Sequence, residues 1–342
     1  KPWHGATAVI AKPGRGPGAL LNRMRSFLRA ARKRDWDWLF VRNDSLIALA
    51  AAMRGKPVAF QLSHQMEETR LEMVRRAKGL RPWLHRLVSL SSRAIRRAAM
   101  ARARLALPIS EHLETLLLNT GERVGPSVVM PLGAVPLPLP DAQERLALRA
   151  ELGIPADAKV LLYLGTLNRL RRLDTLIDAA AEARKSSGNV VLWMVGEGPS
   201  PMDRASLQSA VAARGAEEFV RLPGRVSRSE TFKLIAAADF GLSYFPDIAL
   251  FQQNSPTKVM EYLGLGLPTI CTPQPEHGYA LDICDGGVMS EGHDARAFAM
   301  AIQAALGKNW DRERIQRDFL AVRSYDALSL KLARALDENL AR

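Results

Sequence analysis

Five short apolar runs between residues 160 and 271, separated by helical stretches, constrain the fold more than any other feature of the chain. They are Val160-Leu-Leu-Tyr-Leu-Gly-Thr-Leu167, Val190-Val-Leu-Trp-Met-Val-Gly-Glu-Gly-Pro199, Phe219-Val-Arg-Leu-Pro-Gly-Arg-Val226, Phe240-Gly-Leu-Ser-Tyr-Phe245 and Pro268-Thr-Ile-Cys271. A strand that is apolar at nearly every position has two buried faces, so the pattern demands a parallel sheet covered by helices on both sides. Intervening helices are expected from the basic stretch Arg169 to Lys185 and from about Ser229 to Ala238. In such α/β sheets ligands bind at the carboxyl ends of the strands, where the glycines of the first three runs fall. At 342 residues the chain is too long for one ordinary core, and it suits two domains of about 140 to 180 residues. The proline-rich Val135-Pro-Leu-Pro-Leu-Pro-Asp141 is the natural boundary, giving domains at 1–138 and 139–318. Amphipathic helices are expected over Arg312 to Phe319 and Tyr325 to Leu340.

The stretch Asn254-Ser-Pro-Thr-Lys-Val-Met-Glu-Tyr-Leu-Gly-Leu-Gly-Leu-Pro-Thr-Ile270 joins an anion-binding helix start to a carboxylate about one turn later. Ser255 is a natural N-cap and Pro256 suits the first helical position, so the free N–H groups that follow, from Thr257 onward, would face a pyrophosphate. Glu261 lies within reach of whatever extends from that phosphate, and a carboxylate can accept from both hydroxyls of a ribose. The plainer reading is a capped helix in an α/β protein with no ligand at all.

Taken in order, Tyr163-Leu-Gly165 with basic residues shortly after, Val195-Gly-Glu-Gly-Pro199, Pro223-Gly-Arg-Val226 and Ser255-Pro-Thr-Lys-Val-Met-Glu-Tyr262 followed by Gly266-Leu-Pro268 resemble the C-terminal half of retaining nucleotide-sugar glycosyltransferases of family 4, which have the GT-B fold. The resemblance covers about residues 157 to 310. It implies two Rossmann-like domains with parallel sheets facing across a cleft, a last segment (319–342) crossing back to the N-terminal domain, and transfer from a UDP-sugar or GDP-sugar without a metal or other cofactor. By the same resemblance Arg171 falls where the family has a phosphate-binding lysine, flanked by Arg169 and Arg172, and Glu261 matches the acid that holds the ribose. Gly165, Glu197 and Gly198 match the glycine loops edging the nucleotide pocket, and Val226 matches a backbone position near the base. Two positions depart from the family: Thr166 replaces an arginine after the strand glycine, and Gln253, beside Asn254, replaces the first acid of a Glu-x7-Glu pair. Gln253 can still hydrogen-bond a sugar hydroxyl.

The N-terminal half resembles the same enzymes more loosely. Trp38-Leu-Phe-Val-Arg-Asn43 and Pro57-Val-Ala-Phe-Gln-Leu-Ser-His64 look like the strands leading to a histidine near the donor sugar, which makes His64 a candidate catalytic residue. Leu107-Pro-Ile-Ser110 and Val128-Val-Met-Pro-Leu-Gly133 look like the last strands before the linker. Thr7-Ala-Val-Ile-Ala11 reads as a strand, and the resemblance implies that a first strand and glycine loop once preceded it.

Charge is divided unevenly. Through Leu107 there are 23 Lys and Arg against 6 Asp and Glu, a net of +17; the remainder, 25 against 29, carries −4, which together make the +13 of the whole. Much of the excess lies in Arg70 to Arg104, interleaved with Leu71, Val74, Trp83, Leu87, Val88 and Ile95, as an amphipathic basic helix pair suited to an anionic membrane surface. The alternative is a solvated arginine-rich face. Aromatic residues are scarce and no nucleic-acid module is present, so no nucleic-acid partner is expected. Two cysteines, Cys271 and Cys284, fit a reducing compartment without a disulfide framework. No run approaches the ~20 apolar residues of a membrane span. The expectation is a GT-B glycosyltransferase, cytoplasmic and peripheral on the inner face of the cell membrane, acting on a glycan or lipid-linked acceptor. A sugar-nucleotide epimerase of the same architecture and a non-catalytic interaction subunit are the alternatives.

Overall fold

The computed structural model describes residues 17–33, 36–63, 82–122, 124–248, 251 and 256–340. The chain divides into two units, one made of Lys1–Pro131 with Ser329–Arg342 and the other of Leu132–Leu328. The expected strand at Thr7 to Ala11 lies outside the described residues, as do His64 and Gln253, Asn254 and Ser255.

The first unit is built on a parallel sheet of three strands, β1 (Leu39–Arg42), β2 (Val58–Leu62) and β3 (Leu105–Pro108), in that spatial order. Phe60 stands between Val41 and Ala106 in the ladder and is fully buried. Val128 to Gly133 does not form the strand that its apolar run suggests. Ser127 makes an isolated bridge to Ala106, and the N–H groups of Val128 and Met130 donate to the carbonyls of Ala106 and Pro108.

Of the basic segment, Pro82–Arg102 forms one helix, and 64–81 lies outside the described residues. One expectation fails here: Arg96 is 1% exposed and forks onto the carboxylate of the equally buried Glu122, with Nη2 to Oε1 at 2.9 Å. Arg97 reaches the same carboxylate at 3.3 Å. A charge at that depth persists only with a partner, so Arg96 belongs to the core and not to a lipid-facing surface. Leu87, Val88 and Leu90 of the same helix are exposed. No helix among the described residues is long and apolar enough to cross a membrane.

The second unit holds a six-stranded parallel sheet of β4 (Lys159–Leu164), β5 (Val190–Val195), β6 (Val220–Gly224), β7 (Phe240–Ser243), β8 (Thr269–Cys271) and β9 (Gly287–Met289). Their spatial order is β6-β5-β4-β7-β8-β9. The winding direction reverses at β4, which creates the crevice between β4 and β7 where such sheets bind ligands. Side chains alternate along β4. Leu161 and Tyr163 join the core under the helices Asp174–Ser187 and Ala295–Leu306, while Val160, Leu162 and Leu164 pack on the opposite face with Leu234 and Tyr262. Those two cores account for the uninterrupted apolar runs of the sequence.

His277, on the helix Pro275–Asp282, ties this helix to the strands. It is fully buried, with Nδ1 2.7 Å from the carbonyl of Thr272 and Nε2 2.8 Å from the hydroxyl of Ser243. The carbonyl can only accept, so Nδ1 carries the proton and Nε2 accepts from Ser243. Burial pulls the ring down to about 4, against the opposing effect of the Thr272 carbonyl. The unfolded chain therefore takes up a proton near pH 6.5 that the folded chain refuses until about pH 4. Stability from this group is complete above the unfolded value and falls as pH drops through the window. In His277→Leu the loss of unfolding free energy between pH 7 and pH 4 should shrink by about 3 kcal/mol, as read from denaturant melts at both pH values.

Candidate functional site

The carboxyl ends of β4 to β7 and the start of the helix Thr257–Gly264 surround an open cleft of about 1100 Å³ in the second unit. Its floor is bare backbone. Gly165, Gly196 and Gly224 end three adjacent strands with φ of 144°, 134° and 83°, a region that L side chains rarely enter. Gly165 N–H donates to Val195 and Gly196 N–H to Gly224. A Cβ on Gly196 would lie 1.9 Å from the Gly165 carbonyl oxygen, so the strands close up only because Gly196 lacks one. Thr166, Glu197, Gly198 and Val226 form the rim.

The basic residues after Gly165 do not open a helix as expected. Asn168 accepts from the Arg171 N–H at 3.1 Å, Arg169–Arg171 forms a single 3-10 turn, and Arg172 at φ 48° breaks it before the helix begins at Asp174. These cations therefore stand ahead of the helix and not in its first turn. The turn separates the arginines. Arg171 enters the cleft, with Nη1 3.3 Å from the Tyr163 hydroxyl and its guanidinium over the rings of Phe245 and Phe251 at 5.1 and 5.6 Å. Arg169 turns to Asp203 (N–H at 3.2 Å, Nε at 3.7 Å) and lines a smaller pocket. It does not join the other candidates.

The helix carrying Glu261 begins at Thr257, with Pro256 in the cap position, one residue later than expected. Among the described residues no side chain caps it, and its first turn holds no acid, so its amide end opens toward the cleft. Glu261 is half-buried on the cleft wall. Burial raises its carboxyl above the ordinary value, with Arg228 working against the rise.

Two residues of this helix carry geometry that the sequence reading did not single out. The Tyr262 hydroxyl accepts from the Leu164 N–H at 2.8 Å and donates to the Leu162 carbonyl at 3.0 Å, taking the place of a neighbouring strand at the end of β4. Gly241 leaves room for the ring, since a Cβ there would meet it at 2.3 Å. One helical turn earlier, on the same face, Lys258 lies buried with Nζ 3.9 Å from the centre of the Tyr163 ring and 5.2 Å from that of Phe245. Nζ has no hydrogen-bond partner among the described residues, and neither has Arg171 Nε. Burial drives the Lys258 ammonium well below its ordinary value, and the nearby Arg171 lowers it further. The available signal was a lysine four residues before a tyrosine on a helix face otherwise apolar.

Residues 158–308 match the model of glycosyl transferases group 1. The fold is GT-B. HepE of Anabaena, solved in complex with UDP, superposes with a TM-score of 0.67 at 16% identity over 93% of this chain and 84% of that one. The D-inositol 3-phosphate glycosyltransferase of Kineococcus radiotolerans is 31% identical over 196 residues, 52% of this chain and 43% of that protein. The lipopolysaccharide core biosynthesis glycosyltransferase LpsE of Rhizobium meliloti is 27% identical over 169 residues, covering 49% and 45%. The chain thus spans less than half the length of the curated relatives it matches.

Tyr262→Phe should cost about 1–3 kcal/mol, because it orphans the buried Leu164 N–H and removes the donor to Leu162. Chemical denaturation checks the stability change, and hydrogen exchange at Leu164, expected to become faster, localises it.

Proposed function

We propose that this protein moves a sugar, with retention of configuration, from a nucleoside diphosphate sugar to a hydroxyl of a glycan or lipid-linked acceptor. The observation that carries this reading is the cleft itself. A glycine floor, the uncapped start of the Thr257–Gly264 helix, the Arg171 guanidinium and the Glu261 carboxylate all face one space of about 1100 Å³. Diphosphate oxygens would lie against the amide end and Arg171, and the ribose hydroxyls would donate to Glu261. The rim at Glu197, Gly198 and Val226 would receive the base, mostly through backbone. In the transfer, the bond between the sugar carbon and the diphosphate oxygen breaks and its electron pair stays on that oxygen. The acceptor hydroxyl forms the new bond from the same face, and its proton passes to the departing diphosphate oxygen. Positive charge fixed where the leaving oxygen becomes anionic lowers that barrier, and this is the role of Arg171. No metal or other cofactor is needed for this charge compensation in the proposed scheme. UDP is the first donor nucleotide to try, because HepE of the same fold was solved with it.

The acceptor and the location follow from charge. The first 107 residues carry a net +17, and the helix Pro82–Arg102 exposes Leu87, Val88 and Leu90 among its arginines. Such a face would rest on an anionic lipid surface. The enzyme would then work in the cytoplasm against the inner face of the cell membrane, where a lipid-linked acceptor is presented.

Thermal-shift and calorimetric titration with UDP, GDP, ADP, dTDP and CMP should show stabilisation by one diphosphate, about 2.7 kcal/mol at ~100 times its dissociation constant. Glu261→Ala should weaken that ligand by roughly 1–3 kcal/mol; unchanged affinity removes Glu261 from the ribose role. Binding of nucleotide without sugar transfer to any acceptor would instead identify a non-catalytic relative. Co-sedimentation with phosphatidylglycerol vesicles at low salt should drop in a Leu87→Ser, Leu90→Ser variant; equal sedimentation sinks the membrane-surface assignment.

A further inference from the structure

The donor cleft holds a second cation that none of the preceding assignments uses. Lys258 is 8% exposed, which is deep for an ammonium, and its Nζ finds no hydrogen-bond acceptor among the described residues. Buried lysines are ordinarily paired, and a residue serving packing alone would be better as methionine or leucine. The surroundings make the position costlier still. Arg171 shares Tyr163 and Phe245 with it, through the phenol hydroxyl and the ring, so a guanidinium and an amine flank the same aromatic pair with no anion between them among the described residues.

The position is also specific. The Tyr262 hydroxyl fastens the helix to the end of β4, and Lys258 lies one turn before it, so Nζ is fixed beside Gly165. A Cβ built on Gly165 would be 3.6 Å from Nζ, so nothing but glycine backbone separates the amine from the floor of the cleft. The uncapped amide end of the same helix opens alongside. Arg171 Nε, likewise buried without a partner among the described residues, faces the same space. Two unpaired buried donors and a free helix start around one void describe a site for a dense, multiply charged anion.

Resting on the sugar-nucleotide reading above, we propose that Lys258 is a leaving-group-binding residue that holds the donor diphosphate together with Arg171, supplying from the helix side the charge that Thr166 does not supply from the strand side. Thr166 is exposed on the same rim, directly after Gly165. An arginine at 166 would approach the same phosphate from across the glycine floor, so the two positions can exchange the task.

Binding should also take up a proton. Burial and Arg171 disfavour the charged amine in the empty site, and a diphosphate in contact would restore it. The other titratable groups facing Lys258 do not compete near neutrality. The Tyr163 phenol is raised by burial, as is the Cys271 thiol, and the His277 ring stays neutral down to about 4.

The test is calorimetric titration of the full chain with UDP and, separately, with inorganic pyrophosphate. Lys258→Met should weaken both roughly ten- to hundredfold while raising the melting temperature of the ligand-free protein, because an unpaired amine is no longer buried. Adding Thr166→Arg to Lys258→Met should recover most of the affinity. As pH rises above neutrality the parent should lose affinity, and both variants should show a flatter profile. Unchanged affinity in Lys258→Met, with Glu261→Ala still impaired for UDP, overturns the role of Lys258 and leaves the nucleotide site standing. Pyrophosphate binding that depends on Lys258 without binding of any nucleoside diphosphate upholds the anion site and overturns the nucleotide reading. A parent that binds neither overturns both.

Discussion

The pair of hydrogen bonds made by the Tyr262 hydroxyl is the constraint on which the site depends. At the topological switch the β4–β7 ladder runs from Leu161 to Tyr163 and then ends, because the strands must separate to open the crevice. The Leu164 N–H would be left without a partner inside the protein, and a helix side chain supplies one. This solution fixes the height and rotation of the Thr257–Gly264 helix against the sheet. Its free amide end, Lys258 and Glu261 are placed by that single attachment.

The energetics of the cleft run against those of the rest of the unit. Elsewhere charge at depth is matched: Arg149 reaches Asp239 and the carbonyls of Ala237 and Ala158, and in the first unit Arg96 is satisfied by Glu122. Around Phe245, by contrast, an ammonium and a guanidinium share rings and leave donors unused. Local destabilisation of this kind is tolerated where a ligand relieves it. The first unit, richer in positive charge, hides part of that charge in its core, so composition alone overstates what its surface offers.

The sheet was legible because apolar runs with two buried faces leave little choice of architecture. Val160 to Leu164, Val190 to Val195 and Phe240 to Ser243 all became strands, each starting within a residue of its apolar run and stopping before the run's end. Limits set by one turn residue were harder to read. Arg172 in the left-handed region splits what the sequence presents as one basic helix, and nothing in an arginine's own preference announces it. The same split sends Arg169 to Asp203 and Arg171 to Tyr163, a division that adjacency in sequence conceals. Lys258 was overlooked for a related reason. Lysine in a helix is ordinarily a surface residue, and only the tertiary clamp at Tyr262 shows that this one is turned inward.

The glycine floor also bears on how such a protein can diversify. Gly196 is locked by contact with the backbone of Gly165, Gly165 by its φ of 144°, and Gly241 by the ring of Tyr262. Change at those positions disturbs the whole strand edge. Thr166, Glu197 and Arg225, in contrast, stand exposed around the same opening with no core to upset. Heritable variation in what the cleft accepts therefore has a narrow channel. The rim is where a side chain can be exchanged without refolding the scaffold, and the floor is where it cannot.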